Sequence, residues 1–303
     1  MDLERIAADL EPELKGKIFL REPMKNHTAW RVGGAADVLI AVKTKRDVGL
    51  VIKYAMEHQL PYIVLGNGSN VLVLDKGIRG IVLKLAGGLR EINIAGQRVI
   101  AEAGVRLPVL AQKVYQHGLS GLEYLAAIPG TLGGALIMNA GAHGGCIGQL
   151  VKKVTCFTSQ GETINLEEDQ LKFGYRQSSL AQEKLLVVEA ELFLQPEEPN
   201  IIKARMDKYQ EERMKKQPLN LPNAGSVFVN PPGYAAGYLI EKAGAKGLRK
   251  GGAQVSEKHA NFIVNVDNAS ARDILELIAC VKEKVYETFN IQLETEIKVL
   301  GEG

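Results

Sequence analysis

Cysteine and net charge are both scarce in this sequence, and each scarcity excludes something. Three cysteines in 303 residues, Cys146, Cys156 and Cys280, stand far apart without a C-x-x-C pair. Neither a disulfide framework nor a zinc site is indicated, no metal is expected, and buried thiols are the expected state. Against 37 basic residues stand 35 acidic ones, a net charge of +2, which leaves no electrostatic footprint for nucleic acid. An anionic substrate would have to be met by local charge. No apolar run approaches the roughly 20 residues that cross a bilayer. The opening Met1-Asp2-Leu3-Glu4-Arg5-Ile6 lacks the basic and apolar regions of a signal peptide, so a cytoplasmic protein is expected. No long repeat, coiled coil or low-complexity tract occurs, and the absence of G-x-x-x-x-G-K-[ST] argues against a P-loop NTPase.

What the chain does have is glycine in two dense clusters. Leu65-Gly66-Asn67-Gly68-Ser69-Asn70 lies between the apolar runs Tyr62 to Leu65 and Val71 to Leu74, both of which read as strands. Such a loop can turn successive backbone N–H groups toward one point and form an anion site suited to a diphosphate; the plainer alternative is a polar turn. Gly66 and Gly68 begin a G-x-G-x-x-G, but Val71 stands at its sixth position and a β-rich run follows instead of a helix, which disfavours a Rossmann site. The second cluster runs from Ile128-Pro129-Gly130-Thr131 through Gly133, Gly134, Asn139 and Gly141 to Gly145. Its small residues let backbone pass close to a flat or phosphorylated ligand, or let a short helix starting near Thr131 pack tightly.

Periodicity predicts a mixed α and β chain. A short helix opens it, followed by a strand over Val38–Val42, a helix over Lys45–His58 and strands within Tyr62–Leu85. Further strands are expected at Arg98–Ala103 and Leu185–Leu194, a helix at Pro108–His117, and a hairpin of Val151–Thr158 with Glu162–Leu166. Near Gln195-Pro196-Glu197-Glu198-Pro199 the character changes to a highly charged helix over about Ile201–Lys216, and a domain boundary is placed at 197/198. Beyond it the expected elements are strands at Ser226–Val229, Asn261–Val266 and Gln292–Leu300 and a helix near Tyr234–Ala243. Ile274, Leu277, Ile278, Val281, Val285 and Phe289 recur at helical spacing and define a helix over Ala271–Phe289. Asn268-Ala269-Ser270 reads as its start, with Ser270 as N-cap and Asp273 in its first turn.

With Asn26-His27-Thr28-Ala29-Trp30-Arg31-Val32-Gly33-Gly34, the two glycine clusters, Phe173-Gly174-Tyr175-Arg176-Gln177-Ser178, Asn223-Ala224-Gly225-Ser226-Val227-Phe228, Val255-Ser256-Glu257-Lys258-His259-Ala260-Asn261-Phe262 and Leu293-Glu294-Thr295-Glu296 in this order, the chain resembles the UDP-N-acetylenolpyruvoylglucosamine reductase family almost end to end. The resemblance implies an α+β architecture. A vanillyl-alcohol-oxidase (PCMH-type) FAD-binding fold over 1–197, made of two subdomains split near 90–105, would precede a C-terminal α+β substrate-binding domain over 198–303. It implies FAD held between the subdomains, with Gly66, Asn67, Gly68, Ser69 and Asn70 on its pyrophosphate. Ile128, Pro129, Gly130, Thr131, Gly133, Gly134, Asn139 and Gly141 would line its other side. No His or Cys occurs in the Gly66 loop or between Ile128 and Ala142, so non-covalent FAD is expected.

The implied chemistry is a hydride relay from NADPH through FAD to the enolpyruvyl group of UDP-N-acetylglucosamine enolpyruvate, yielding UDP-N-acetylmuramate for the bacterial cell wall. Three residues match the family's catalytic positions. Arg176 would fork onto the substrate carboxylate as charge accumulates there. Glu296, expected on the last strand, would cooperate as a protonated acid, and Ser226 would protonate the carbanionic carbon. Asn230 fits a substrate-contact position. His259 lies near the site, with a core or capping role as its alternative. Only 49 residues separate Arg176 from Ser226, so the chain resembles the shorter class of the family, without an inserted tyrosine loop. No nucleic-acid, membrane or obligate protein partner is expected. Two rivals are an oxidase of the same fold acting on a small hydroxy compound, and a nucleotide-sugar-binding module without flavin.

Overall fold

The computed structural model describes residues 2–303. The chain divides into two compact units. The first comprises residues up to Leu20, Val38–Asn67 and Gly80–Glu212; the second comprises Arg21–Asp37, Gly68–Arg79 and Arg213–Gly303. The units are discontinuous in sequence, whereas the sequence reading set a single break at 197/198. The helix Pro199–Lys216 buries Ile202 and Met206 in the core of the first unit.

A five-stranded antiparallel sheet in the first unit runs in the order Thr163–Glu167, Val151–Phe157, Leu186–Phe193, Arg98–Glu102, Ile92–Ala95. Its burial alternates on outer strands such as Thr163–Glu167 and is nearly continuous on Leu186–Phe193, as expected of a sheet whose centre is covered on both faces. A further sheet orders Lys17–Pro23, Ala35–Ala41, Ile78–Lys84 and Tyr62–Leu65, the last two parallel. The helix Lys45–Glu57 begins in a capping box of Thr44 and Asp47, and Leu107–Tyr115 begins with a proline in its first turn, where the missing N–H is no loss. No helix among the described residues is long and apolar enough to cross a membrane.

In the second unit the helix Ala271–Phe289 buries Ile274, Leu277, Ile278, Val281 and Val285, with Ser270 and Asp273 in a capping box and Asn290 ending it at φ 54°. The strand Val71–Val73 lies parallel to Lys298–Leu300, Val71 opposite Lys298. A three-stranded sheet joins Arg249–Lys250, Ala253–Val255 and Ile263–Asn265. Trp30 is fully buried, its Nε1 donating to the carbonyl of Ile263 at 2.7 Å.

Three expectations are corrected. Ser226–Val229 is not a strand: the segment makes only the isolated bridge Phe228↔Thr295, because Gly225 turns the chain at φ 77° and Asn261 takes the amides of Val227 and Phe228. Of the expected strand Gln292–Leu300 only Lys298–Leu300 forms, so Glu296 lies just before the last strand. Cys156 alone of the cysteines is buried; Cys146 and Cys280 are half-buried, and all three are free thiols.

Candidate active site

The first unit joins its two glycine segments directly. A Cβ on Gly66 would sit 2.6 Å from Thr131 Oγ1, so only glycine lets the loop approach the buried threonine. Thr131 caps the helix Leu132–Ile137, its Oγ1 accepting from the Gly134 amide at 3.4 Å. The residues before it are held by backbone contacts: Ile128 N donates to Leu125 O, and the Gly130 carbonyl accepts from Leu107 N, both at 3.0 Å, while Pro129 is exposed. Gly133 packs where its Cβ would be 3.0 Å from that of Ala103, so its smallness serves helix packing. Asn139 is buried with both ends of its amide engaged: Nδ2 donates to Gly174 O at 2.9 Å and Oδ1 accepts from Gly148 N at 3.0 Å.

Those bonds tie the second segment to Arg176. Phe173–Gly174 and Gln177–Ser178 form a hairpin with Tyr175 and Arg176 at its tip, and Arg176 takes φ 58°, a left-handed conformation that side chains adopt at a cost. Its Nη1 donates to the Gly141 carbonyl at 3.4 Å, and its guanidinium lies 5.5 Å from the centroid of the exposed Tyr175 ring. The Ser178 hydroxyl donates to Ile137 O at 2.7 Å.

The second unit assembles a different group. Gly68 (φ 66°) is held so tightly that a Cβ there would lie 2.0 Å from the His27 carbonyl oxygen, and its own carbonyl accepts from Ala29 N at 2.9 Å. Asn70 Nδ2 donates to Glu296 O at 3.3 Å, and Asn70 O accepts from Lys298 N at 3.0 Å. On its other side Glu296 N donates to Val227 O at 2.8 Å. The half-buried Glu296 therefore runs between Asn70 and the residue after Ser226. An Asx turn at Asn223, whose Oδ1 accepts from Gly225 N at 3.0 Å, presents Ser226. Among the described residues none hydrogen-bonds to the Ser226 hydroxyl.

Asn230 and His259, expected at the substrate, already carry structural bonds. Asn230 Oδ1 accepts from Ala236 N at 2.9 Å, capping the helix Ala236–Lys242. His259 Nδ1 accepts from Asn261 N at 3.2 Å, and its ring meets Phe262 edge-on at 4.8 Å. Burial lowers the His259 pKa from its ordinary 6.5, and Lys246 lowers it further, so the neutral ring with Nδ1 as acceptor is favoured.

Known proteins give these groups a common context. The family described as FAD binding domain matches residues 36–167, and UDP-N-acetylenolpyruvoylglucosamine reductase, C-terminal domain, matches residues 217–300. Proteins named UDP-N-acetylenolpyruvoylglucosamine reductase are 46% identical over 285 residues in Alkaliphilus oremlandii, covering 94% of both chains. In Moorella thermoacetica the identity is 46% over 303 residues, covering 100% of both. This chain belongs to the UDP-N-acetylenolpyruvoylglucosamine reductase family. The crystal structure of the reductase from Thermus caldophilus superimposes with a TM-score of 0.81 at 37% identity, covering 95% of this chain and 99% of that one. An alkyldihydroxyacetonephosphate synthase, at 16% identity and TM-score 0.50, shares the fold.

For a reductase of this family the residues present fit FAD. At Gly66 and Gly68 any side chain would collide with Thr131 Oγ1 or the His27 carbonyl oxygen, so the loop carries no Cβ at either position that could stand between its backbone and a phosphate. Neither glycine segment, over Gly66–Asn70 or Ile128–Ala142, offers a His or Cys for covalent attachment. No cluster of three metal-ligating side chains occurs among the described residues. Sequence reasoning missed Asn261, only 4% exposed, whose Oδ1 accepts from Phe228 N at 2.9 Å while Nδ2 donates to Phe228 O at 2.8 Å. The signal available was a single amide in the apolar run Ala260 to Val264.

Proposed function

We propose that this chain reduces UDP-N-acetylglucosamine enolpyruvate to UDP-N-acetylmuramate, using NADPH and a non-covalent FAD, for peptidoglycan synthesis in the bacterial cytoplasm. The observation that carries the reading is the bond from Glu296 N to Val227 O at 2.8 Å, which sets Ser226 beside Glu296 in a chain related end to end to reductases of that name.

When bound, FAD supplies the two-electron chemistry that links NADPH oxidation to reduction of the enolpyruvyl double bond. The loop Gly66–Asn70 would hold its pyrophosphate through backbone N–H groups, and residues of the segment from Ile128 to Gly141 would complete the site. Product exceeds substrate by two hydrogens: a hydride at the methylene carbon and a proton at its neighbour. Hydride addition leaves a carbanion conjugated with the carboxylate, and Arg176 forks onto that carboxylate as its charge grows. Glu296 cooperates in polarising the same group. Ser226 donates its proton to the carbanionic carbon and is reprotonated from solvent. Asn230 through its amide nitrogen and His259 through Nε2 contact the substrate with the atoms their structural bonds leave over. The FAD-binding portion is assigned to 1–197 and the substrate-binding portion to 198–303.

The test is anaerobic absorbance spectroscopy of the purified protein. NADPH should bleach the oxidised flavin bands, and UDP-N-acetylglucosamine enolpyruvate should restore them. Recovery only with oxygen would point to an oxidase of the same fold. Failure to take up FAD would overturn the reading.

A further inference from the structure

The hairpin that carries Gly141 has a second attachment, at its tip. Its two-residue loop is His143-Gly144, with Gly145 opposite Ala142 and Cys146 opposite Gly141. Both loop residues have positive φ, 53° at His143 and 85° at Gly144, the twist that two-residue hairpins require. Glycine, asparagine and aspartate take that conformation readily, and a histidine takes it at a cost. The imidazole lies flat on Tyr209 of the helix Pro199–Lys216, with centroids 3.9 Å apart and planes 15° from parallel. Its Nδ1 stands 3.8 Å from Glu212 Oε2. Tyr209 and Glu212 are three residues apart and share a helix face, and that helix is anchored in the core by Ile202 and Met206.

At the root of the same hairpin the Gly141 carbonyl accepts from Arg176 Nη1 at 3.4 Å. A Cβ on Gly141 would lie 2.5 Å from Gly145 O, so the two hairpin strands are in close contact there and a displacement at the tip is carried to the root. A long arginine side chain on a hairpin tip has many rotamers, and the Gly141 carbonyl selects among them.

We propose that His143 is a positioning residue for the reduction: its stack on Tyr209 and its contact with Glu212 hold the Gly141–Cys146 hairpin, and through the Gly141 carbonyl the guanidinium of Arg176. The inference rests on the assignment of Arg176 to the substrate carboxylate. Errors of about 1 Å in such a group can cost on the order of a hundredfold in rate.

The test measures the two half-reactions of the FAD-loaded enzyme separately, under anaerobic stopped flow. His143→Ala should slow reoxidation by saturating UDP-N-acetylglucosamine enolpyruvate on the order of tenfold and flavin reduction by NADPH much less. Tyr209→Ala should do the same, and His143→Phe, which keeps the stack, should recover most of the rate. In an Arg176→Ala background His143→Ala should add nothing, the mark of residues acting as one unit. Equal slowing in both backgrounds overturns the proposal. So does normal reoxidation in His143→Ala, with or without a lower melting temperature, when Arg176→Ala is slow. If Arg176→Ala itself reoxidises normally, the assignment of Arg176 fails and the positioning role falls with it.

Discussion

Ser226 combines a presented hydroxyl with a fixed backbone: Gly225 turns at φ 77°, Val227 is held by Asn261 O at 2.9 Å and by Glu296 N at 2.8 Å, and no described residue takes the hydroxyl itself. Ser226→Ala should therefore leave the flavin bleached by NADPH at the normal rate, while kcat falls by about a hundredfold or more, the usual worth of a positioned general acid. Stopped-flow comparison of the half-reactions checks this, and normal turnover would remove Ser226 as the proton donor. His259 sets a pH dependence on stability. Its folded pKa lies below the ordinary 6.5 because burial disfavours the charged ring, so between the two values the unfolded chain binds the extra proton. Stability is full above about pH 6.5 and is lost as pH falls toward the folded value, where protonation also removes the acceptor for Asn261 N. Melting temperature should fall between pH 7.5 and 5.5 in the native protein and with a smaller slope in His259→Gln. Asp47 does not contribute in that window. Burial pushes its carboxyl up, but bonds from the Lys43, Lys15 and Thr44 amides and the Thr44 hydroxyl bring it below 3.8, so it stays ionised in both states.

At the scale of elements, the helix Ala271–Phe289 was legible residue for residue, because its apolar period and its Ser270-x-x-Asp273 start are both local signals. Ser270 Oγ accepts from Asp273 N at 3.0 Å, and Asp273 Oδ2 accepts from Ser270 N at 2.9 Å. Ser270→Ala should cost about 1 kcal/mol, a drop of roughly 2–4 °C in melting temperature for a chain of this size. Calorimetry checks it. Asp75 moderates the loss by accepting from Ala271 N at 2.8 Å and Arg272 N at 3.1 Å, so Ser270→Ala with Asp75→Ala should destabilise more than the sum of the two. The segment Ser226–Val229 was misread because its β-branched and aromatic residues have strand propensity. Asn261, about thirty residues on, satisfies its backbone instead, a partner no local pattern announces.

For the whole molecule, two glycine loops that hold FAD as proposed would tie stability to the cofactor. If FAD binds only the native chain, saturation at about 100 times its Kd adds about 2.7 kcal/mol, so the FAD-loaded protein should melt on the order of 5 °C or more above the stripped one. An unchanged melting temperature on reconstitution would count against Gly66–Asn70 as a phosphate-binding loop. The same loop shows how the sequence divides: Asn67 ends a segment of the first unit and Gly68 begins one of the second, so neighbours along the chain belong to different compact bodies.

By itself the sequence determined the family, the mixed α and β class and most helices and strands, because motifs, caps and periodicity are encoded over a few neighbouring residues. Only the tertiary structure decided which polar groups are already committed. Asn139, Asn230 and His259 hold backbone bonds that no motif shows, Asn261 rather than a β-ladder supports Ser226, and Trp30 finds its acceptor 233 residues away at Ile263. The physical reason is that a hydrogen bond is satisfied by whatever the fold brings within reach, and that reach is set by packing and not by sequence separation.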